Sequence, residues 1–115
     1  MDYTSTTYTV GVFVQANFGS REELTIAGLP IGHLLANDNP MAEYFAMPAG
    51  AGSVIAIVAT DAPLLPQQCT ALARRVTLGL ARTGTTGSHF SGDLFLAFTT
   101  ANPGGITPGV TTFRP

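Results

Sequence analysis

Lysine is absent from this chain; its five basic residues are Arg21, Arg74, Arg75, Arg82 and Arg114. Against seven acidic residues they leave a formal net charge of −2, which offers no basic footprint for nucleic acid. Arg74, Arg75 and Arg82 fall on one predicted helix, too few for a stripe that tracks phosphates. Charged residues of both signs make up 10% of the 115 positions, well below the ~25% usual in soluble domains. A surface so poor in charge implies that further chain or other subunits cover much of it. Thirteen glycines and many threonines dilute the charge as well.

The single cysteine, Cys69, excludes an internal disulfide and a cysteine-cluster metal site, and nothing in the sequence asks for a metal or a cofactor. No apolar run approaches the ~20 residues of a membrane helix, and no charged-then-apolar leader opens the chain, so no membrane association is expected. The cytoplasm is the default compartment, with the periplasm open if a signal precedes the sequence. No internal repeat and no linker is evident, so residues 1–115 form one small domain or part of a larger one. What the chain does hold is 45% hydrophobic residues, enough for a core and against wholesale disorder.

Tyr8 to Gln15 predicts a strand with Tyr8, Val10, Val12 and Val14 on one face. It ends in the turn residues Asn17 and Gly19. Leu24 to Ala27 predicts a second short strand, with Ile31 to Leu35 resuming the pairing after Gly28-Leu29-Pro30. Asn37 to Pro48 has no periodicity and reads as a loop. Ser53 to Thr60 is apolar at nearly every position, which suits a central strand covered on both faces. A helix begins at Pro66, where a proline loses no hydrogen bond, and stops at Gly84. Its apolar stripe is Cys69, Leu72, Ala73, Val76 and Leu80. Asp93 to Thr100 predicts the last strand, and the proline- and glycine-rich tail beyond Asn102 predicts no element. The fold class is therefore α/β (α+β), built around a strand–helix–strand unit whose strands lie side by side.

In that unit Ser53 and the run Ser91-Gly92-Asp93 open two neighbouring strands at the same sheet edge. Ser53 follows Pro48-Ala49-Gly50-Ala51-Gly52, a loop of small residues that lets other groups come close. Taken alone, such a serine is a loop-closing turn residue; the rim gives it a second reading as a nucleophile. A serine hydroxyl needs a base. His33 lies in a strand-like stretch and reads as structural, His89 lies in the polar loop before Ser91, and neither serine sits in a Gly-x-Ser-x-Gly elbow. Another route needs no histidine. Cutting the Gly52–Ser53 bond would give Ser53 a free α-amine of pKa about 7.7–8, able to serve its own hydroxyl as general base.

The block from Gly52 through Ser53-Val54-Ile55-Ala56-Ile57-Val58-Ala59-Thr60-Asp61-Ala62-Pro63 to Pro66 is very similar to the nucleophile region of the DmpA-like aminopeptidases, peptidase family S58. Leu72 to Val76, Gly79 to Gly84 and Ser91 to Asn102 continue the likeness, and Val12 to Gly19 resembles the family's strand ending in asparagine. The resemblance implies part of an αββα sandwich of the DmpA and ornithine acetyltransferase type. It implies self-processing between Gly52 and Ser53, leaving 1–52 as the end of an α chain and 53–115 as a β chain. Ser53 would be the nucleophile, Ser91 and Asp93 would position it and relay protons, and Asn17 would help form the oxyanion hole.

The implied function is a serine aminopeptidase that hydrolyses N-terminal residues from peptides, amino acid amides or esters through an acyl-enzyme. Family members form tetramers or larger homo-oligomers. Most of the family's α chain, with its substrate pocket, has no counterpart here. Two alternatives therefore stay open: a non-catalytic fragment or partner subunit, and an acyltransferase of the ornithine acetyltransferase type, whose nucleophile is a threonine.

Overall fold

The computed structural model describes residues 6–41, 44 and 51–102. The tail beyond Asn102 and most of the stretch from 42 to 50, including Pro48 and Gly50, lie outside the described residues. A three-stranded sheet carries the molecule, in the order β1 (Val10–Asn17), β4 (Ser53–Thr60), β5 (Leu94–Thr99). β1 pairs antiparallel with β4 from Val10↔Thr60 to Asn17↔Ser53. β5 pairs parallel with β4 from Ile55↔Leu94 to Thr60↔Thr99. The parallel pair is joined by α2 (Pro66–Arg74) and α3 (Val76–Gly84), and α2 packs on β5 and β4.

Alternation along β4 fixes which side is core. Val54, Ala56, Val58 and Thr60 are buried under the helical layer together with Ala73 of α2. Their sheet neighbours on that face are Val10, Val12, Val14 and Ala16 of β1 and Phe95, Ala97 and Thr99 of β5. The opposite face carries Phe13, Ile55, Leu94, Leu96 and Phe98, each between 43% and 68% exposed. β4 is thus the central strand that its apolar composition predicts. Only one of its faces is covered within the described residues, where both were expected.

At the far end of the sheet a set of short polar contacts ties the strands. Thr60 Oγ1 donates to the Thr9 carbonyl at 2.7 Å, and the Thr9 N–H donates to Asp61 Oδ1 at 2.7 Å. The Thr100 N–H reaches the Thr60 carbonyl at 2.9 Å. Thr60 is buried, so its hydroxyl needs such a partner.

Between β1 and β4 the chain makes a short 3₁₀ turn (Arg21–Glu23), a two-stranded hairpin of β2 (Thr25–Ile26) and β3 (Leu29–Pro30), and the one-turn helix α1 (Gly32–Leu35). Ala27 and Gly28 both take positive φ, 50° and 82°, the geometry of a tight two-residue hairpin turn. This corrects the expectation that Ile31 to Leu35 would pair as a strand. The Gly32 N–H donates to the Leu24 carbonyl at 2.9 Å, and a Cβ at Gly32 would collide with the Arg21 and Glu22 carbonyls. Docking of Gly32 on the 3₁₀ turn outweighs the β-branched start of the segment.

The helix expected as one element from Pro66 to Gly84 is two, meeting at Arg75. The Arg75 N–H donates to the Leu72 carbonyl at 3.0 Å, a tightened three-residue turn that interrupts the α-helical bonding. Pro66 opens α2 as expected, with the Leu65 N–H capped by Gln68 Oε1 at 2.8 Å. Among the described residues no helix is long and apolar enough to cross a membrane.

Candidate active site

The first residue of β4 lies where three segments meet. Asn17 ends β1 directly opposite Ser53 in the antiparallel register, so the two side chains share the open face of the sheet. Gly52 makes an isolated parallel bridge with Ser91, extending the β4–β5 pairing beyond the ends of both strands. This bridge requires glycine. A Cβ at Gly52 would be driven into the Asn17 carbonyl oxygen and would lie 2.8 Å from Phe18 Cα.

Ser53 is exposed, and two contacts hold its hydroxyl. Oγ donates to the Gly52 carbonyl oxygen at 2.6 Å, and the Gly92 N–H donates to Oγ at 3.3 Å. The same Gly92 N–H also reaches the Gly52 carbonyl oxygen at 3.3 Å. Asp93 supplies the charge. Its Oδ1 accepts the Val54 N–H at 2.9 Å and the Ser91 hydroxyl at 2.5 Å. A carboxylate that holds the main chain one residue after Ser53 and the Ser91 proton at once fixes both relative to the rim, and charged acceptors make such bonds short.

Ser53, Ser91, Asp93 and Gly52 are therefore brought together, and Asn17 stands across the strand pair from Ser53. The histidines are elsewhere. His33 is exposed on α1, while His89 is exposed and faces a groove of about 640 Å³ between α3, the 3₁₀ turn and the loop before β5. Ser91 and Asp93 form part of that groove's wall, and Ser53 does not line it. Among the described residues no group of three His, Cys, Asp or Glu side chains could hold a metal ion.

A family model described as Peptidase family S58 matches residues 1–112. The chain belongs to this family. It is 46% identical over 104 residues to the beta-peptidyl aminopeptidase BapA of Sphingosinicella microcystinivorans, covering 83% of this chain and 26% of that one. The structure of a Burkholderia sp. beta-aminopeptidase superposes with a TM-score of 0.67 at 48% identity, covering 83% of this chain and 24% of that chain. The structure of the L-aminopeptidase D-Ala-esterase/amidase from Ochrobactrum anthropi, described as a new variant of the Ntn hydrolase fold, gives a TM-score of 0.68 at 43% identity. That match covers 80% of this chain and 23% of the other. The chain thus spans about a quarter of the length of the S58 proteins it matches, and its mixed α/β fold is that of the corresponding part of an Ntn-hydrolase-type sandwich.

Sequence reading of this S58 chain missed Gly92. It stood only as a spacer between Ser91 and Asp93, yet its N–H is the group that touches both Ser53 Oγ and the Gly52 carbonyl. The signal available was the residue type itself. A Cβ at Gly92 would come 3.2 Å from Ser53 Oγ, so a glycine beside a candidate nucleophile marks a close approach.

Proposed function

We propose that this chain is the nucleophile-bearing part of a serine aminopeptidase that processes itself between Gly52 and Ser53. The observation that carries the reading is the placement of Ser53 Oγ, 2.6 Å from the carbonyl oxygen of its own scissile peptide and beside the Ser91–Asp93 pair. In the self-cleavage step Oγ attacks the Gly52 carbonyl carbon, the C–N bond breaks, and the Oγ proton ends on the departing nitrogen. The product is an ester between Gly52 and Ser53 Oγ with a free amine on Ser53. Water then hydrolyses the ester to the Gly52 carboxylate and the Ser53 hydroxyl.

Catalysis reuses the freed groups. The Ser53 α-amine takes the Oγ proton as Oγ attacks the substrate carbonyl, and the same proton goes to the leaving amine or alcohol. The acyl group stays on Oγ until water, deprotonated by the α-amine, releases it. Asp93 anchors Val54 and orients Ser91 so that the new N-terminus does not drift from the rim. Asn17, opposite Ser53, is the side-chain amide positioned to donate to the substrate's oxyanion.

The substrates are peptides, amino acid amides or esters with a free N-terminal residue. Side-chain recognition belongs to the three quarters of the relatives' length that this chain does not span. The same missing part supplies the second sheet that covers Phe13, Ile55, Leu94, Leu96 and Phe98, and the assembled enzyme is a homo-oligomer.

Release of p-nitroaniline from an aminoacyl-anilide tests the reading. The chain is assayed with the complementing region of an S58 relative, with and without an added amine acceptor. Hydrolysis without acyl transfer is expected. Transfer to the acceptor in place of hydrolysis would contradict the peptidase reading and point to an acyltransferase.

A further inference from the structure

We propose that the main-chain N–H of Gly92 is the oxyanion donor of the self-cleavage step, an assignment that rests on the self-processing reading above. The Gly52 carbonyl oxygen has two donors among the described residues: the Ser53 hydroxyl at 2.6 Å and the Gly92 N–H at 3.3 Å. When Ser53 Oγ attacks, it gives up its proton and ceases to be a donor. The carbonyl π pair moves onto the Gly52 oxygen as the Oγ–C bond forms, and Gly92 is then the donor left facing the new negative charge. A contact of 3.3 Å is long for a ground-state amide hydrogen bond and shortens as the oxygen becomes anionic. The C–N bond then breaks, the Oγ proton passes to the Ser53 nitrogen, and the carbonyl reforms in the ester.

The donor is preorganised from both sides. Its bond to the Gly52 carbonyl is the ladder contact of the Gly52–Ser91 bridge, and Asp93, the residue after it, holds the Val54 N–H at 2.9 Å. The Gly92 N–H is therefore fixed against the scissile peptide by the chain on each side of that peptide, and it does not have to reorient during the reaction. Ser53 Oγ and the Gly52 oxygen share this one N–H before attack, so forming the tetrahedral centre only transfers the hydrogen bond between two atoms it already touches. The Asn17 side chain makes no hydrogen bond to the Gly52 oxygen, which separates this donor from the one proposed for substrate turnover.

The test replaces Gly92 with glycolic acid by nonsense suppression in cell-free synthesis, which converts its N–H to an ester oxygen, adds no side chain, and weakens the Ser91 carbonyl as an acceptor. The full chain is made alone and together with the complementing region of an S58 relative. Intact mass follows the break at Gly52–Ser53 with time, and in the wild type and Gly92→Ala, whose backbones carry no other ester, hydroxylamine traps the intermediate as a Gly52 hydroxamate. The expected result is a fall of roughly 100-fold in the rate of the break, the size seen when one oxyanion donor is removed.

Gly92→Ala keeps the N–H and adds a methyl 3.2 Å from Oγ; it is expected to cleave at a tenth of the wild-type rate or faster. Cleavage by the glycolic acid protein at the wild-type rate overturns the assignment. So does Gly92→Ala failing as completely as the ester, which would make the role one of packing. If the wild-type chain never breaks in either setting, the self-processing reading falls and this one with it; a wild-type break with an unaffected ester variant removes only Gly92.

Discussion

A carboxylate oxygen shared between a main-chain N–H and a serine hydroxyl sets what Asp93 can do and what its loss should cost. Asp93→Asn keeps the shape but replaces a charged acceptor with a neutral amide oxygen, weakening both the Val54 and Ser91 contacts. Hydrolysis by the complemented enzyme is expected to lose about 10²-fold in kcat or more, with KM little changed, because the role proposed for Asp93 is to position the nucleophile and not to bind substrate. Steady-state kinetics on an aminoacyl-anilide check this. Gly52→Ala acts on the backbone, since its methyl meets the Asn17 carbonyl and Phe18 Cα. It should slow the chain break and lower stability by about 1–3 kcal/mol, read from thermal melts of the uncut protein. In the proposed mechanism the general base of turnover is an α-amine, which accepts a proton only when neutral. The kcat profile is therefore expected to fall as pH drops below the ~7.7–8 range of such amines.

The elements explain how much of this was legible. Ser53, Ser91 and Asp93 could be put on one rim from sequence because strand–helix–strand connectivity makes β4 and β5 parallel neighbours and aligns their starts. The partner of Ser53 across the sheet was not legible from periodicity. Asn17 entered through resemblance alone, and only the register Asn17↔Ser53 gives its position a geometric basis. The break at Arg75 was hidden because the apolar stripe from Cys69 to Leu80 runs on through it, with no proline or glycine to mark the turn. Gly84 marks the end of α3 in both readings, and the structure adds a reason. It has φ 106°, and a Cβ there would strike the Glu23 carbonyl, so α3 can close only against the 3₁₀ turn with glycine at this place. Gly84→Ala is expected to cost more than ~1 kcal/mol, combining the left-handed backbone penalty with the clash, and denaturant unfolding measures it.

At the scale of the whole molecule, the low charge noted in the sequence becomes a location. On one face α2 covers β4, with Ala56 fully buried, while Val10, Val12 and Val14 of β1 stay exposed there; the other face presents Phe13, Ile55, Leu94, Leu96 and Phe98 to solvent. An apolar sheet face of this kind is what an αββα sandwich buries against its second sheet. Leu96→Asp separates folding from assembly. Leu96 is already 58% exposed, so the chain itself should keep its stability, while co-purification with the complementing S58 region should be lost. Loss of the chain's own fold in this variant would mean that the face is closed internally.

The most direct test of the central claim is the intact mass of the chain, with and without the complementing region, beside Ser53→Ala. Two fragments broken between Gly52 and Ser53 are expected in the wild type, and a single uncut mass for Ser53→Ala. A wild-type chain that stays whole in both settings, or a Ser53→Ala chain that still breaks at this bond, would contradict that claim.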